Sequence, residues 1–249
     1  MSPRAETVDI AVDADHIAGT LFMPSSDHNP APGVLFIHGW GGHQQQDRDA
    51  ARAIAEFGCV CLTFDLRGHV KTSERRETVT REDNLRDVLA AYDVLAHHAG
   101  VDKAFIALVG ASYGAYLAAL LTYKRPARLF SLRAPALYKD EDWDVPKRRL
   151  HVDPQFAEYR RRTLRAEENR ALGACAQFSG DVLLVESQND EIIPHPAIAN
   201  YIAAFANAHS MTYRVIEGAD HALSQQAWQL AYTELLMSWM KEMTARALR

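Results

Sequence analysis

Two hydrophobic patterns alternate along this chain. Continuous apolar runs, "GVLFIHG" (33–39), "CVCLTFD" (59–65), "AFIALVG" (104–110) and "DVLLVES" (181–187), predict strands buried on both faces. Between them, apolar residues recur at helical spacing. "RDAARAIAEFG" (48–58) aligns Ala50, Ile54 and Phe57, and "NLRDVLAAYDVLAHHAG" (84–100) aligns Leu85, Val88, Leu89, Tyr92 and Leu95. Further helices are expected over "YGAYLAALLTYK" (113–124), over "PAIANYIAAFANA" (196–208) and from about Ser224 onward, and further strands over "ARLFSLRAPAL" (127–137) and "MTYRVIEG" (211–218). Before the alternation begins, "TVDIAV" and "HIAGTLFMP" flank "DAD", the pattern of an antiparallel hairpin. The turn formers of "PSSDHNPAPG" (24–33) then connect it to the next strand. The whole predicts an α/β fold: a mostly parallel eight-stranded sheet with helices on both faces.

One segment breaks this rhythm. Residues 139–178 carry no strand-like run and are dense in charge, yet contain Trp143, Phe156 and Tyr159. A long insertion between two strands suits an active-site cover. The expected division is therefore a core of 1–138 and 179–249 with a small helical cap at 139–178, the three aromatic residues lining a substrate pocket. The plain alternative is a peripheral helical pair that never meets substrate.

Composition narrows the class. The chain has 249 residues, 48% hydrophobic and 24% charged, with a formal net charge of −5, which fits one globular domain able to bury a core without metal or disulfide. The acidic balance argues against nucleic acid and anionic membrane as partners. "KRR" (147–149) and "RRR" (160–162) are flanked by acidic residues and read as solvated helix faces. The odd cysteine count, three, argues against a disulfide framework. Cys59 and Cys61 point to one face of a strand and read as packing, not metal ligation. The N-terminal "MSPRAETVDI" lacks an apolar signal core, so a cytoplasmic protein with reduced thiols is expected.

Candidate chemistry sits at strand ends, where parallel sheets place their active groups. Gly110-Ala111-Ser112-Tyr113-Gly114 is G-x-S-x-G between a predicted strand and a predicted helix, the setting in which a tight turn projects a serine above the sheet. The alternative is a plain helix N-cap serine. A serine hydroxyl needs a base. Among eleven histidines, His221 in "EGADHALS" follows the last strand, and the chain order nucleophile, acid, histidine favours it. His38 also ends a strand, while His43, His69 and His195 read as surface or supporting residues. Asp190 in "VESQNDEIIP" is the expected acid, with Glu191 and Asp220 as rivals. The oxyanion donors expected are the backbone N–H of Tyr113 and that of Trp40 in "HGWGG".

Taken together, "HGWGG", "DLRGH", "GASYGA", "QNDEIIP" and "GADHA" resemble, in order, the motifs of the α/β-hydrolases, from about residue 7 to the C-terminus. Within that superfamily the chain is similar to small bacterial serine hydrolases related to feruloyl and cinnamoyl esterases and to the serine-aminopeptidase-like group. The resemblance implies Ser112, Asp190 and His221 as a triad, Trp40 and Tyr113 as oxyanion amides, and a cap after the sixth strand. Relatives usually read D-x-R-G-H-G-x-S. Here "DLRGHVKTS" has Val70 for the second glycine, which puts the transfer of substrate preference in doubt. The implied activity is hydrolysis of carboxylic esters of small to medium or aromatic acyl groups through an acyl-enzyme, acting on a small-molecule ester with no metal or organic cofactor, as a monomer or homodimer. A thioesterase or amidase/peptidase would use the same triad. A dehalogenase would need aspartate at the elbow, and a non-catalytic binding protein on the fold would not be labelled by a fluorophosphonate.

Overall fold

The computed structural model describes residues 2–25, 30–152 and 154–245. Residues 26–29 of the turn-rich connector, Asp153 of the insertion and the last four residues lie outside the described residues. Eight strands form one sheet: β1 (Arg4–Val12), β2 (Asp15–Met23), β3 (Ala31–Ile37), β4 (Val60–Phe64), β5 (Val101–Ala111), β6 (Leu129–Arg133), β7 (Asp181–Ser187) and β8 (Ser210–Ile216). Their order is β1-β2-β4-β3-β5-β6-β7-β8. The β1–β2 and β2–β4 pairs are antiparallel and all the others parallel, as the hairpin and the alternation predict.

Strand alternation explains why both faces are apolar. Val34 and Phe36 of β3 pack with Ile54 of α1 (Arg48–Glu56) and with Trp239 and Met240 of the last helix (Gln226–Thr244). Their neighbours Leu35 and Ile37 pack on the opposite face with Leu85 and Val88 of α2 (Arg81–His97) and Leu117 of α3 (Tyr113–Thr122). Cys59 and Cys61 are free and buried in the first of these layers, and burial pushes the Cys59 thiol up to about 12. The predicted sixth strand stops at Arg133 instead of continuing to Leu137. Ala134 adopts a left-handed φ of +43°, and Pro135 cannot donate to a ladder.

The insertion contains α4 (Pro154–Tyr159), α5 (Arg170–Gln177) and short 3₁₀ turns at Lys147–Val152 and Ala166–Glu168. The remaining helix is α6 (His195–Ala204), which makes the C-terminal helix α7. No helix among the described residues is long and apolar enough to cross a membrane.

The chain leaves β3 toward β4 on one side of the sheet and later places β5 on the other. The crevice at the carboxyl ends of β3 and β5 is thus the switch point where such sheets bind ligands. Its walls are very close. A Cβ on Gly114 would stand 2.0 Å from the Ile37 carbonyl oxygen, and one on Gly110 2.6 Å from Ala115 Cα. Gly114→Ala is therefore expected to force β3 and α3 apart, costing on the order of 3 kcal/mol. Urea unfolding tests this, and a wild-type midpoint would contradict it.

Candidate active site

Ser112 joins β5 to α3 with φ +51° and ψ −114°, a conformation that costs a non-glycine residue energy and persists only when its surroundings fix it. They do. The Ser112 N–H donates to the Arg133 carbonyl at 2.8 Å, and the Ser112 carbonyl accepts from Tyr116 N at 3.2 Å and Ala136 N at 3.1 Å. The hydroxyl projects from this turn, with its Oγ 3.0 Å from His221 Nε2.

On its other side, His221 Nδ1 lies 2.7 Å from Asp190 Oδ2. A carboxylate only accepts, so Nδ1 carries the proton and Nε2 presents a lone pair to Ser112. The Asp190 side chain is 3% exposed. Its second oxygen, Oδ1, accepts from the N–H groups of Ile192 (2.9 Å) and Ile193 (2.7 Å). The two loops are laced together: Asn189 N donates to the Ala219 carbonyl (2.8 Å) and Gly218 N to the Gln188 side chain (2.7 Å). The rival Asp220 instead accepts from the Ser224 amide at 2.9 Å and from the Ser224 hydroxyl. These bonds hold its carboxyl below the usual range. Glu191 is exposed.

Tyr113 supplies the first amide of α3, next to the helix's positive end. Trp40 follows β3 in a loop that two histidines clamp. His38 Nε2 accepts from Leu66 N at 3.0 Å while its Nδ1 meets the Gly39 carbonyl at 2.8 Å. His69 Nε2 accepts from Gly41 N at 3.0 Å. The Trp40 ring stands edge-on to His69 (4.8 Å) and to Tyr113 (5.8 Å). Sequence reading left both histidines without these roles, because their partners are main-chain groups that no motif displays. His195, by contrast, pairs with Glu186 at 3.0 Å, and His43 is exposed.

Both clamping histidines must be neutral to accept from an amide. Burial, reinforced by nearby His69, pushes His38 down to about 4, and burial lowers His69 as well. The unfolded chain protonates His38 near 6.5. Above that pH the group contributes no difference. As pH falls from about 6.5 through 4 the unfolded state takes up a proton that the fold refuses, and stability drops by roughly 3 kcal/mol from this group. The unfolding free energy should thus fall more between pH 7 and 4.5 in the wild type than in His38→Gln. Equal falls would remove His38 as the cause.

Val70, at the departure from the related motif, has φ +46° and is 52% exposed. The chain keeps there a conformation that glycine adopts freely and valine does not. The neighbouring Arg67 is buried and ties this loop to Asp87 of α2 and to Asp13 (3.0 Å) and Asp15 (3.2 Å) of the β1–β2 hairpin.

Each of the insertion's aromatic residues has partners of its own. Phe156 and Tyr159 are interior: Phe156 packs on Tyr138 at 5.1 Å, beneath the Arg160 guanidinium at 4.0 Å, and the Tyr159 hydroxyl accepts from Asn169 at 3.0 Å. Trp143 donates to Glu82 at 2.6 Å and faces a cleft of about 490 Å³ lined also by Leu120, Asp140 and Arg170. Ser112, Asp190 and His221 do not line that cleft. Two cations of the insertion approach the site: Arg160, which donates to the Ile192 carbonyl of the Asp190 loop at 3.0 Å, and Lys147, from the "KRR" expected to be a solvated face. Lys147 is wholly buried, with its ammonium 4.6 Å from the Trp40 ring centre and 4.8 Å from those of Tyr113 and Tyr138. Its backbone explains this, since Lys147 N donates to the Val79 carbonyl at 2.8 Å and turns the side chain inward. Burial pushes its ammonium well below the usual lysine range. Arg160 of "RRR" is buried too. Among the described residues, no group of three or more His, Cys, Asp or Glu is placed to hold a metal ion.

The arrangement places a hydroxyl, an imidazole and a buried carboxylate in one hydrogen-bonded line. Comparison with known proteins agrees with the fold. The family described as serine aminopeptidase, S33 matches residues 28–163, more than half of the chain. An uncharacterised protein of Mycobacterium tuberculosis is 27% identical over 209 residues, 82% of this chain and 67% of its own length. Among solved structures, Est1E from Butyrivibrio proteoclasticus with bound ferulic acid superposes with TM-score 0.73 at 20% identity, covering 96% of this chain and 99% of that one. A dienelactone hydrolase from Anabaena variabilis gives 0.69 at 18%, covering 98% and 99%. The acylaminoacyl peptidase of Pyrococcus horikoshii gives 0.73 at 13%, covering 98% of this chain and 42% of its own.

Proposed function

From the premise that the chain belongs to the serine aminopeptidase S33 family, and is a hydrolase of the α/β-hydrolase superfamily, we propose that it cleaves carboxylic esters of small to medium or aromatic acyl groups through Ser112, His221 and Asp190. The observation that carries this reading is the continuous bond line from Ser112 Oγ to His221 at 3.0 Å and on to Asp190 at 2.7 Å. Ser112 Oγ attacks the ester carbonyl while His221 Nε2 takes its proton. The tetrahedral oxyanion receives the Tyr113 and Trp40 amides. The imidazolium then protonates the departing alkoxide, leaving the acyl group on Ser112. Water, deprotonated by the same imidazole, releases the acid and restores the hydroxyl. All proton and electron transfers balance among these groups and water, so the reading calls on no metal or cofactor.

Residues 139–178 act in this reading as a cap on a core of 1–138 and 179–249. The amidase alternative is kept because the family's description names a peptidase. Matched aryl ester, thioester and anilide substrates separate the readings. The ester is expected to lead the anilide by roughly 10²-fold or more in kcat/KM, and short and aromatic acyl groups to lead long chains. A preferred anilide would replace the esterase reading with the peptidase one.

A further inference from the structure

Arg133 is the last residue of β6, paired with Ala111 immediately before the nucleophile. It grips both halves of the proposed reacting pair. Its carbonyl accepts the Ser112 N–H at 2.8 Å, and its guanidinium Nη1 donates to the His221 carbonyl at 2.8 Å, across 88 positions of sequence. The grip is stiff at its root. Ala134 takes the left-handed φ of +43° and donates to the Val185 carbonyl at 2.8 Å, and two residues on, Ala136 donates back to the Ser112 carbonyl. The far end is steadied from two helices. The guanidinium lies 5.7 Å from the ring centre of Tyr232 on α7, and half-buried Asp47, which precedes α1, lies within its electrostatic reach. Burial pushes the Asp47 carboxyl up to about 7 against the pull of Arg133.

A surface arginine gains little from a carbonyl partner. This one reaches from the central sheet to the main chain of the base itself, on a loop whose Leu223 is also left-handed at φ +51°. We propose that Arg133 is a positioning residue that sets the separation of His221 Nε2 from Ser112 Oγ. The inference rests on the reading of Ser112 and His221 as the reacting pair. Arg133 touches neither reacting atom. Removing the guanidinium takes away the tie from β6 to the His221 main chain and leaves only the ties to the Asp190 loop, and misplacement of a base by about 1 Å costs on the order of 10²-fold in rate.

The test is steady-state kinetics of Arg133→Met, Arg133→Gln and Arg133→Lys, with wild type and Ser112→Ala alongside. Arg133→Met is expected to lose roughly 10- to 100-fold in kcat with KM within about twofold and little change in melting temperature. Arg133→Lys should recover part of the loss, because an ammonium also donates to the carbonyl. A purely structural role does not split kcat from KM and is not rescued by lysine. If Ser112→Ala is inactive while Arg133→Met keeps wild-type kcat, the inference fails and the triad reading stands. If Ser112→Ala keeps full activity, the triad reading itself fails. Should Arg133→Met not fold, the Lys and Gln variants decide: Lys several-fold faster than Gln at equal melting temperature supports the role, and equal rates overturn it.

Discussion

Ser112→Ala is expected to lose roughly 10⁴-fold or more in turnover with its fold intact. The hydroxyl is the only group removed. The turn that holds residue 112 is fixed by main-chain bonds to Arg133, Tyr116 and Ala136, none of which uses the side chain. The methyl of alanine occupies the place of Cβ at the same φ of +51°, so backbone strain is unchanged. What disappears is the 3.0 Å contact to His221 Nε2 and with it the covalent route. Ester turnover in purified protein, with melting temperature as the folding control, measures this. Wild-type turnover in the folded variant would remove Ser112 from the chemistry.

Asp190→Asn should be nearly as damaging, and Asp220→Asn should not. The reason is which oxygen does what. Asp190 Oδ1 is already engaged by the Ile192 and Ile193 amides, so an asparagine keeps its carbonyl oxygen there and turns its NH₂ toward His221 Nδ1. That amide donates where the carboxylate accepted. It forces the proton onto Nε2, the nitrogen that must take the Ser112 proton, and a loss on the order of 10⁴-fold follows at neutral pH. Asp220 bonds its own loop through Ser224. Its replacement loosens that turn and costs stability more than rate, with turnover staying within about tenfold of wild type. Turnover numbers of both variants at one pH, with melting temperatures, distinguish the two. A folded Asp220→Asn that is the weaker catalyst would reassign the acid.

Much of this architecture is legible in the chain because apolar runs and helical stripes are local signals. The eight strands and their alternation with helices need nothing beyond period and glycine placement. Ser112, His221 and Asp190 are legible because each lies just past an apolar run, and the sheet gathers strand ends. The missing parts have a common physical cause. His38, His69 and Arg133 act on main-chain groups of distant loops, and a carbonyl or an amide has no residue identity to read. Lys147 and Arg160 look solvated because burial of a cation depends on which rings and carbonyls surround it, here Trp40, Tyr113 and Tyr138 for the lysine. The aromatic residues of the insertion announce burial, and Phe156 and Tyr159 are buried. Aromatic character alone did not say whether they face a ligand or Tyr138 and Asn169.

The central claim is that Ser112 is a nucleophile activated by His221. Intact-protein and peptide mass spectrometry after brief exposure to a fluorophosphonate tests it most directly. The account predicts a single adduct, located on Ser112 and absent from both Ser112→Ala and folded His221→Ala. An unmodified wild-type protein, an adduct at another residue, or equal labelling of His221→Ala would contradict it.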